Sequence, residues 1–274
     1  MDATTAPIVE LAYRSFGSGP PVVFLHGGGP GCSSWSDFRD CADHAASDHQ
    51  RLFVDLAQYG DSAADRFHGP ALDYHAACLL ALLDTLGHDR VDVIAQSLGG
   101  SVALNLAATH PDRIRRMVVT GSQPTPSERP GSAGPDVVRR IRSTYYGGEG
   151  PSPTKMRALL AELEWWDAAA IPARTVAARY EHSLTPWALA VADGTGRGEP
   201  QDLSGRLRDV PHPTLWVWGT HDPFAAPDYA CSVAAQMPRG DVAVLGRTSH
   251  HPQEERPVAY GRIVQEFLMR KDHR

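Results

Sequence analysis

Three polar side chains, far apart in the chain, have the types and surroundings of a nucleophilic relay. Ser97 stands in Ala95-Gln96-Ser97-Leu98-Gly99, between a short apolar run and a helical pattern. A strand that turns abruptly into a helix strains the corner residue and lifts its side chain above the carboxyl edge of a sheet. The backbone N–H groups that follow open a helix N-terminus and favour developing negative charge. Small neighbours suit that close approach; Ala95 stands where such a corner usually has glycine, a methyl group being the next smallest choice. The competing reading is a serine that merely N-caps the helix. A serine nucleophile needs a base, and the base needs an orienting acid. Asp222 follows the apolar run Thr214–Trp218 in Gly219-Thr220-His221-Asp222, and His250 follows the run Asp241–Leu245 in Gly246-Arg247-Thr248-Ser249-His250-His251. Thirteen histidines occur, so it is the position of His250, one strand after the acid, that carries weight. His221 and His251 read as supporting neighbours or surface groups. The glycines of His26-Gly27-Gly28-Gly29-Pro30-Gly31 follow the run Pro21–Leu25 and let backbone N–H groups approach an oxyanion without Cβ obstruction. The N–H groups of Gly28 and Leu98 are the expected oxyanion donors, and His26 the expected brace of the loop.

The elements that would hold these groups alternate. Strands are expected at Pro21–Leu25, Arg51–Leu56, Val91–Ala95 and Ile114–Thr120, with helices at Ser33–Ala46, Leu72–Leu86 (closed by Gly87) and Leu98–Thr109. This repetition implies βαβ units and a parallel sheet. After Gly121 comes a Pro/Ser/Gly-rich stretch, 123–135, and then mainly helical sequence to residue 209, with candidates at 137–145, 154–168, 173–184 and 186–192 and no buried-strand run. Alternation returns with strand 214–218, a helix near 226–237, strand 241–245 and a last helix over 256–270. The expected division is a core of 1–122 and 210–274 with a helical cap, 123–209, inserted after the sixth strand. Met156, Leu159, Leu160, Leu163 and Trp166 fall on one stripe of the second cap helix, a packing pattern. Trp165, Trp166, Tyr180 and Trp187 either line an apolar pocket or pack the cap on the core. Gly194–Gly198 is glycine-rich but follows no strand, so it reads as a loop rather than a phosphate cradle.

Composition narrows the function classes. In 274 residues, 26 basic against 32 acidic side chains leave a net charge of −6, with no basic footprint for nucleic acid or anionic lipid. Glycine and proline together stay below the share that marks disorder. Cys32, Cys41, Cys78 and Cys231 match no zinc or CxxC spacing, which points to reduced thiols; Cys32, in the glycine loop, is expected to be accessible. No signal-peptide pattern opens the sequence and no apolar run is long enough to span a membrane. A cytoplasmic protein acting on a small molecule is expected, without nucleic acid or membrane partners and with a homo-oligomer left open. The relay needs no metal and no organic cofactor.

The order Ser97, Asp222, His250, with the HGGGPG loop, the elbow, WGTHD and SHHPQEERP in sequence, resembles the α/β-hydrolase family over nearly the whole length. Within it the chain is most similar to the meta-cleavage-product hydrolases, which cleave a carbon–carbon bond in vinylogous diketo acids. The HGGGPG loop followed by Trp35 and the Arg179-Tyr180-Glu181 segment carry that likeness. The resemblance implies that Arg179 binds substrate carboxylate and dienol oxygens, with Asp37, Gln96, His251, Trp165 and Trp187 around the substrate. Two positions depart from the group: Asp37 stands where asparagine is usual, and His251 where tryptophan follows the catalytic histidine. A negative charge at Asp37 would repel a substrate acid, and His251 replaces an apolar wall with a titratable ring. An ester or lactone hydrolase of specialised metabolism, and a non-hydrolytic tailoring catalyst or ligand receptor on the same fold, are the alternatives. Ser97 excludes the aspartate-nucleophile dehalogenases and epoxide hydrolases, and the loop and elbow fit proline iminopeptidases less well.

Overall fold

The computed structural model describes residues 7–125 and 135–270. Its strands are β1 (Tyr13–Phe16), β2 (Pro21–Leu25), β3 (Gln50–Val54), β4 (Phe67–Pro70), β5 (Val91–Gln96), β6 (Ile114–Thr120), β7 (Arg197–Glu199), β8 (Thr214–Gly219) and β9 (Gly240–Leu245). Its helices are α1 (Ser34–Phe38), α2 (Ala42–Ala45), α3 (Ala71–Thr85), α4 (Leu98–Thr109), α5 (Pro135–Tyr146), α6 (Pro153–Leu163), α7 (Ala173–Ser183), α8 (Pro186–Ala190), α9 (Pro227–Ala234), α10 (Pro252–Glu255) and α11 (Pro257–Met269). Seven strands form one sheet in the order β1-β3-β2-β5-β6-β8-β9. Only β1 runs antiparallel.

The central strands are apolar without alternation because both faces of a parallel sheet are covered; β5 and β8 are buried at every position. One face packs Val23, Val93, Val119 and Trp216 against α3, α4 and α9. The other packs Phe24, Ile94, Val118 and Val217 against α1, α2 and α11. Successive strands are added outward in opposite directions from β2 and β5. The loops after these two strands therefore diverge at the carboxyl edge and leave a crevice, the place where open α/β sheets bind ligands. The glycine loop leaves β2 there, and Ser97 leaves β5.

Helices α5 to α8 lie between β6 and β8. Tyr145, Met156, Leu159, Leu160, Trp165, Ile171 and Val176 give them an apolar cluster of their own.

Several expected elements differ. The single helix over 33–46 is two short ones. Ser34 ties the first turn to the end of β3, its N–H on Asp55 (2.8 Å) and its hydroxyl on the Val54 carbonyl (2.5 Å), and the chain turns at 39–41 to lay α2 against Gly261 of α11. The helix expected over 154–168 stops at Leu163, so Trp166 leaves the packing stripe and stands 47% exposed. The last helix runs as expected, α11 over Pro257–Met269, and a separate short helix, α10, precedes it. Three strands carry no pattern to read. β1 is exposed at every position and held by backbone pairing to β3. β4 and β7 are four and three residues long and pair with each other, so the segment read as a loop through Gly198 enters a strand at Arg197. Most of the stretch 123–135 lies outside the described residues.

Candidate active site

Ser97 is held at φ 48° and ψ −112°, a conformation outside the regions open to L-residues without strain. The strain is imposed from both sides. The Ser97 N–H is bonded to the Thr120 carbonyl at 2.8 Å, which keeps it in register with the sheet, while helix α4 begins at the next residue. Helix and sheet meet closely: the Gly99 N–H bonds the His26 carbonyl at 3.1 Å, and a Cβ on Gly99 would lie 2.6 Å from the Leu25 carbonyl oxygen. The Ser97 hydroxyl makes no capping bond to α4, which separates it from an ordinary N-cap serine, and the residue is only partly buried.

His250 and Asp222 meet at the neighbouring strand ends. Imidazole Nδ1 lies 2.8 Å from Asp222 Oδ2, and Asp222 Oδ1 accepts the Phe224 N–H at 2.9 Å. Both carboxylate oxygens are thus engaged, the ring is oriented through Nδ1, and Nε2 is left for a hydroxyl proton. The loops after β8 and β9 are bound together by His221 N–H to Thr248 O (2.9 Å), and a Cβ on Gly219 would come within 2.0 Å of the Ser249 carbonyl oxygen. The His250 ring packs on Phe224 at 4.4 Å and against Gly121, where a Cβ would be 3.0 Å from Cε1. Gly121 directly follows the residue whose carbonyl binds Ser97. The His250 carbonyl accepts from Gln96 Nε2 at 3.3 Å, so Gln96, fully buried, braces the histidine loop from inside the sheet.

The glycine loop lies over this corner. A Cβ on Gly27 would sit 2.0 Å from Gln96 Oε1, and one on Gly28 would be 3.3 Å from the Leu98 Cβ, so the backbones of Gly28 and Leu98 are adjacent. His26 ties the loop down: Nε2 accepts the Leu56 N–H at 2.9 Å, which leaves Nδ1 as donor to the Gly27 carbonyl at 2.7 Å. Burial lowers its pKa, which favours the neutral ring these bonds need. The Tyr59 hydroxyl donates to the Gly28 carbonyl at 2.9 Å. Its role is not readable from the sequence, since Tyr59 lies in a turn with no recognisable pattern.

Three of the residues assigned to substrate by resemblance, Arg179, His251 and Asp37, belong to a buried ionic cluster behind the loop. Arg179 is fully buried. Its Nε donates to Pro30 O at 2.9 Å, and its two Nη atoms reach Glu164 Oε2 and Oε1 at 2.8 and 2.9 Å. The guanidinium is therefore filled by a carboxylate of the same chain. Burial would raise the Glu164 pKa, but Arg179 and His251 override it and hold it near 2. His251 lies between two acids, Nδ1 at 2.6 Å from Glu254 and Nε2 at 3.4 Å from Glu164. Burial works against its charge, yet Glu164 and Glu254 carry its pKa to about 9. Glu254 itself is pushed by burial to about 7, against the pull of His251. Asp37 Oδ2 accepts the Gly27 N–H at 3.3 Å and Oδ1 the Ser36 hydroxyl at 3.0 Å, so Asp37 braces the loop from below. Asp37, His251 and Glu254 offer ligand atoms within 4.8 Å of one another. His251 Nδ1 is already engaged by Glu254 at 2.6 Å, and a raised pKa favours the protonated ring there. Glu164, the partner of both cations, carried no signal in the sequence; Glu254 did, as the acid three residues after His251.

Trp165 is buried in the apolar cluster of the inserted helices. Trp187 donates its indole N–H to the Gly60 carbonyl at 3.2 Å and ties α8 to the core. Cys32 is fully buried rather than accessible, and burial pushes its thiol pKa up, away from reactivity.

Residues 20–257 match the family model described as alpha/beta hydrolase fold. Among curated relatives, a 2-hydroxy-6-oxononadienedioate/2-hydroxy-6-oxononatrienedioate hydrolase of Burkholderia vietnamiensis (strain G4 / LMG 22486) is 28% identical, the match covering 96% of this chain and 92% of that one. Among solved structures, the 2-hydroxy-6-oxo-6-phenylhexa-2,4-dienoate hydrolase of Rhodococcus sp. strain RHA1 aligns with a TM-score of 0.79 at 22% identity, over 96% of this chain and 100% of that one. A thermophilic esterase from Thermogutta terrifontis aligns with the same TM-score of 0.79 at 21% identity, over 97% and 96% of the two chains. Equal likeness to both shows the shared fold and does not separate carbon–carbon from ester cleavage. No helix among the described residues is long and apolar enough to cross a membrane.

Proposed function

The chain belongs to the alpha/beta hydrolase fold family, and from that premise we propose that it is a serine hydrolase that cleaves a carbon–carbon bond beside a ketone, in a vinylogous diketo acid or a related ketone. The observation that carries this reading is the strained Ser97, its hydroxyl withheld from capping α4, at the sheet edge where His250 is oriented by Asp222 at 2.8 Å. His250 accepts the Ser97 proton as the oxygen attacks the carbonyl, and Asp222 stabilises the imidazolium. The N–H groups of Gly28 and Leu98 hold the oxyanion, each worth about 3–4 kcal/mol in the transition state. Collapse of the tetrahedral adduct breaks the carbon–carbon bond. The electron pair passes to a leaving carbon conjugated with the ketonised acid, and His250 returns its proton there. Water, deprotonated by His250, then releases the acyl group from Ser97. The substrate class is supported by the curated relative, a hydrolase of dienedioates. Residues 123–209 serve as the lid in this reading, and the four unpaired thiols suit a cytoplasmic setting.

One observation favours ester or lactone hydrolysis as a second reading. Arg179, the cation that resemblance assigns to a substrate acid, is already neutralised by Glu164. Product analysis separates the two: loss of a dienoate chromophore with release of two acids marks carbon–carbon cleavage, and acid plus alcohol from simple aryl esters marks the alternative. Ser97→Ala should lower turnover about 10⁴-fold or more. Turnover that survives this change would overturn both readings in favour of a non-nucleophilic role.

A further inference from the structure

Of the SHHPQEERP segment the relay uses only His250, yet three successive side chains after it fold back around that histidine. Glu254 meets His251 Nδ1, Arg256 donates to the Gly246 carbonyl at 3.0 Å, and between them Glu255, at the end of α10, accepts the Ser249 N–H on Oε1. The other carboxylate oxygen of Glu255, Oε2, accepts the Trp166 N–H at 2.7 Å. One side chain thus bridges the residue before His250 and the segment that leaves α6. Further bonds join the same two segments. The His251 N–H reaches the Glu164 carbonyl at 3.2 Å, and the Ser249 hydroxyl has the His221 carbonyl at 3.2 Å and the Leu163 carbonyl at 3.4 Å. Ser249 is buried, so its N–H needs an acceptor within the protein, and Glu255 supplies it. Burial raises the Glu255 pKa, while the Ser249 and Trp166 N–H groups oppose this by favouring the carboxylate.

We propose that Glu255 is a positioning residue for His250: it pins the backbone that enters the histidine to the end of α6 and so sets where the imidazole stands. The Thr248–Ser249 peptide leads into His250 and is gripped at both ends. Its carbonyl accepts the His221 N–H at 2.9 Å, and its N–H is held by Glu255. The other restraints act elsewhere. Asp222 orients the ring through Nδ1, and Gln96 holds the His250 carbonyl on the far side of the residue. Truncating Glu255 frees one end of the peptide and leaves a buried N–H without its acceptor. A shift of about 1 Å in a group remote from the reacting atoms can lower a rate about 100-fold. This role rests on the serine-hydrolase reading, because it acts through His250.

The test follows the rate at which a fluorophosphonate labels Ser97, which requires no knowledge of the substrate. Glu255→Ala should slow labelling about 10- to 100-fold and leave the near-ultraviolet circular dichroism unchanged. Glu255→Gln keeps an acceptor for one of the two N–H groups and should label at an intermediate rate. Trp166→Pro, which removes the donor beside α6, should slow labelling by a smaller factor; an unchanged rate would overturn the anchoring to α6. Positioning is separated from a general loosening of the fold in a His250→Ala background. There the slow residual labelling should fall no further when Glu255→Ala is added, because the group being positioned is gone. A Glu255→Ala rate within about twofold of wild type, or equal slowing in both backgrounds, overturns the role. If the alanine variant does not fold, the glutamine variant decides, and a rate within about twofold of wild type overturns the role. Unchanged labelling in protein carrying only His250→Ala would remove the serine-hydrolase reading and this role with it; slowing there, with none from Glu255→Ala, removes this role alone.

Discussion

Replacing Glu164 by glutamine removes one charge from the centre of the buried cluster and leaves the shape nearly unchanged. The expected cost follows from what remains. Arg179 is fully buried and keeps its bond to the Pro30 carbonyl, but it loses a bidentate carboxylate at 2.8 and 2.9 Å. Breaking a buried ion pair from one side costs about 3–5 kcal/mol, because the remaining charge stays desolvated and uncompensated. The glutamine oxygen can still accept one Nη bond, which places the expected loss near the lower end, about 3 kcal/mol. Urea unfolding at pH 7 measures it directly, and for a chain of this size the melting temperature should fall by about 6–12 °C. The double change Glu164→Leu with Arg179→Met removes both charges together and should recover most of the loss, since apolar residues of similar volume often replace a buried pair without penalty. A single-variant loss under about 1 kcal/mol, or a double variant no better than the single, would refute the idea that mutual neutralisation holds this cluster.

Further outcomes follow from the same geometry. Asp222→Asn should lower kcat about 10⁴-fold while leaving the fold intact, because the 2.8 Å bond that orients His250 would favour the wrong tautomer; steady-state kinetics beside a circular-dichroism spectrum checks it. Stability should fall as the pH rises from about 7 to beyond 9. The His251 pKa is raised to about 9 from an ordinary 6.5, so its contribution is complete below 6.5 and is lost as the pH passes 9; Glu254, raised to about 7 from 4.5, acts in the same direction from 4.5 upward. Between about 7 and 9 the native protein keeps the His251 proton that the unfolded chain has released, which gives the slope its sign; below 6.5 burial of His26, His49, His75 and His212 lowers their pKa and works in the opposite direction. Melting temperatures across that range should show the decline, and His251→Gln should flatten its alkaline part; a flat wild-type profile would contradict both assignments. Gly31→Ala should destabilise by about 2–4 kcal/mol or prevent folding, since φ is +70° and a Cβ would meet the Arg179 carbonyl oxygen at 1.7 Å; unchanged thermal unfolding would show that α7 can move off the loop.

What could be read from the sequence followed from where burial leaves a pattern. The central strands are covered on both faces, so VVFL, VDVIA and TLWVW stand out as apolar runs, and the loops that follow them hold Ser97, Asp222 and His250. That order is enough to propose a relay before any coordinates. Edge pairing leaves no such trace: β1 is exposed at each position, and β4 with β7 is too short to alternate. The charged cluster was unreadable for a different reason. Arg179, Asp37 and His251 were singled out one by one, but Glu164 is distant from two of them in sequence and gives its meaning only when the fold brings it to the Arg179 guanidinium.

The nucleophilic role of Ser97 is tested most directly by labelling with a fluorophosphonate, which traps a serine only where a base has activated it. Intact mass and peptide mapping should show one adduct per chain, on the peptide that carries Ser97, absent after Ser97→Ala and strongly slowed by His250→Ala. An adduct on a different serine, or labelling at Ser97 that proceeds at the same rate without His250, would contradict the assignment of these side chains.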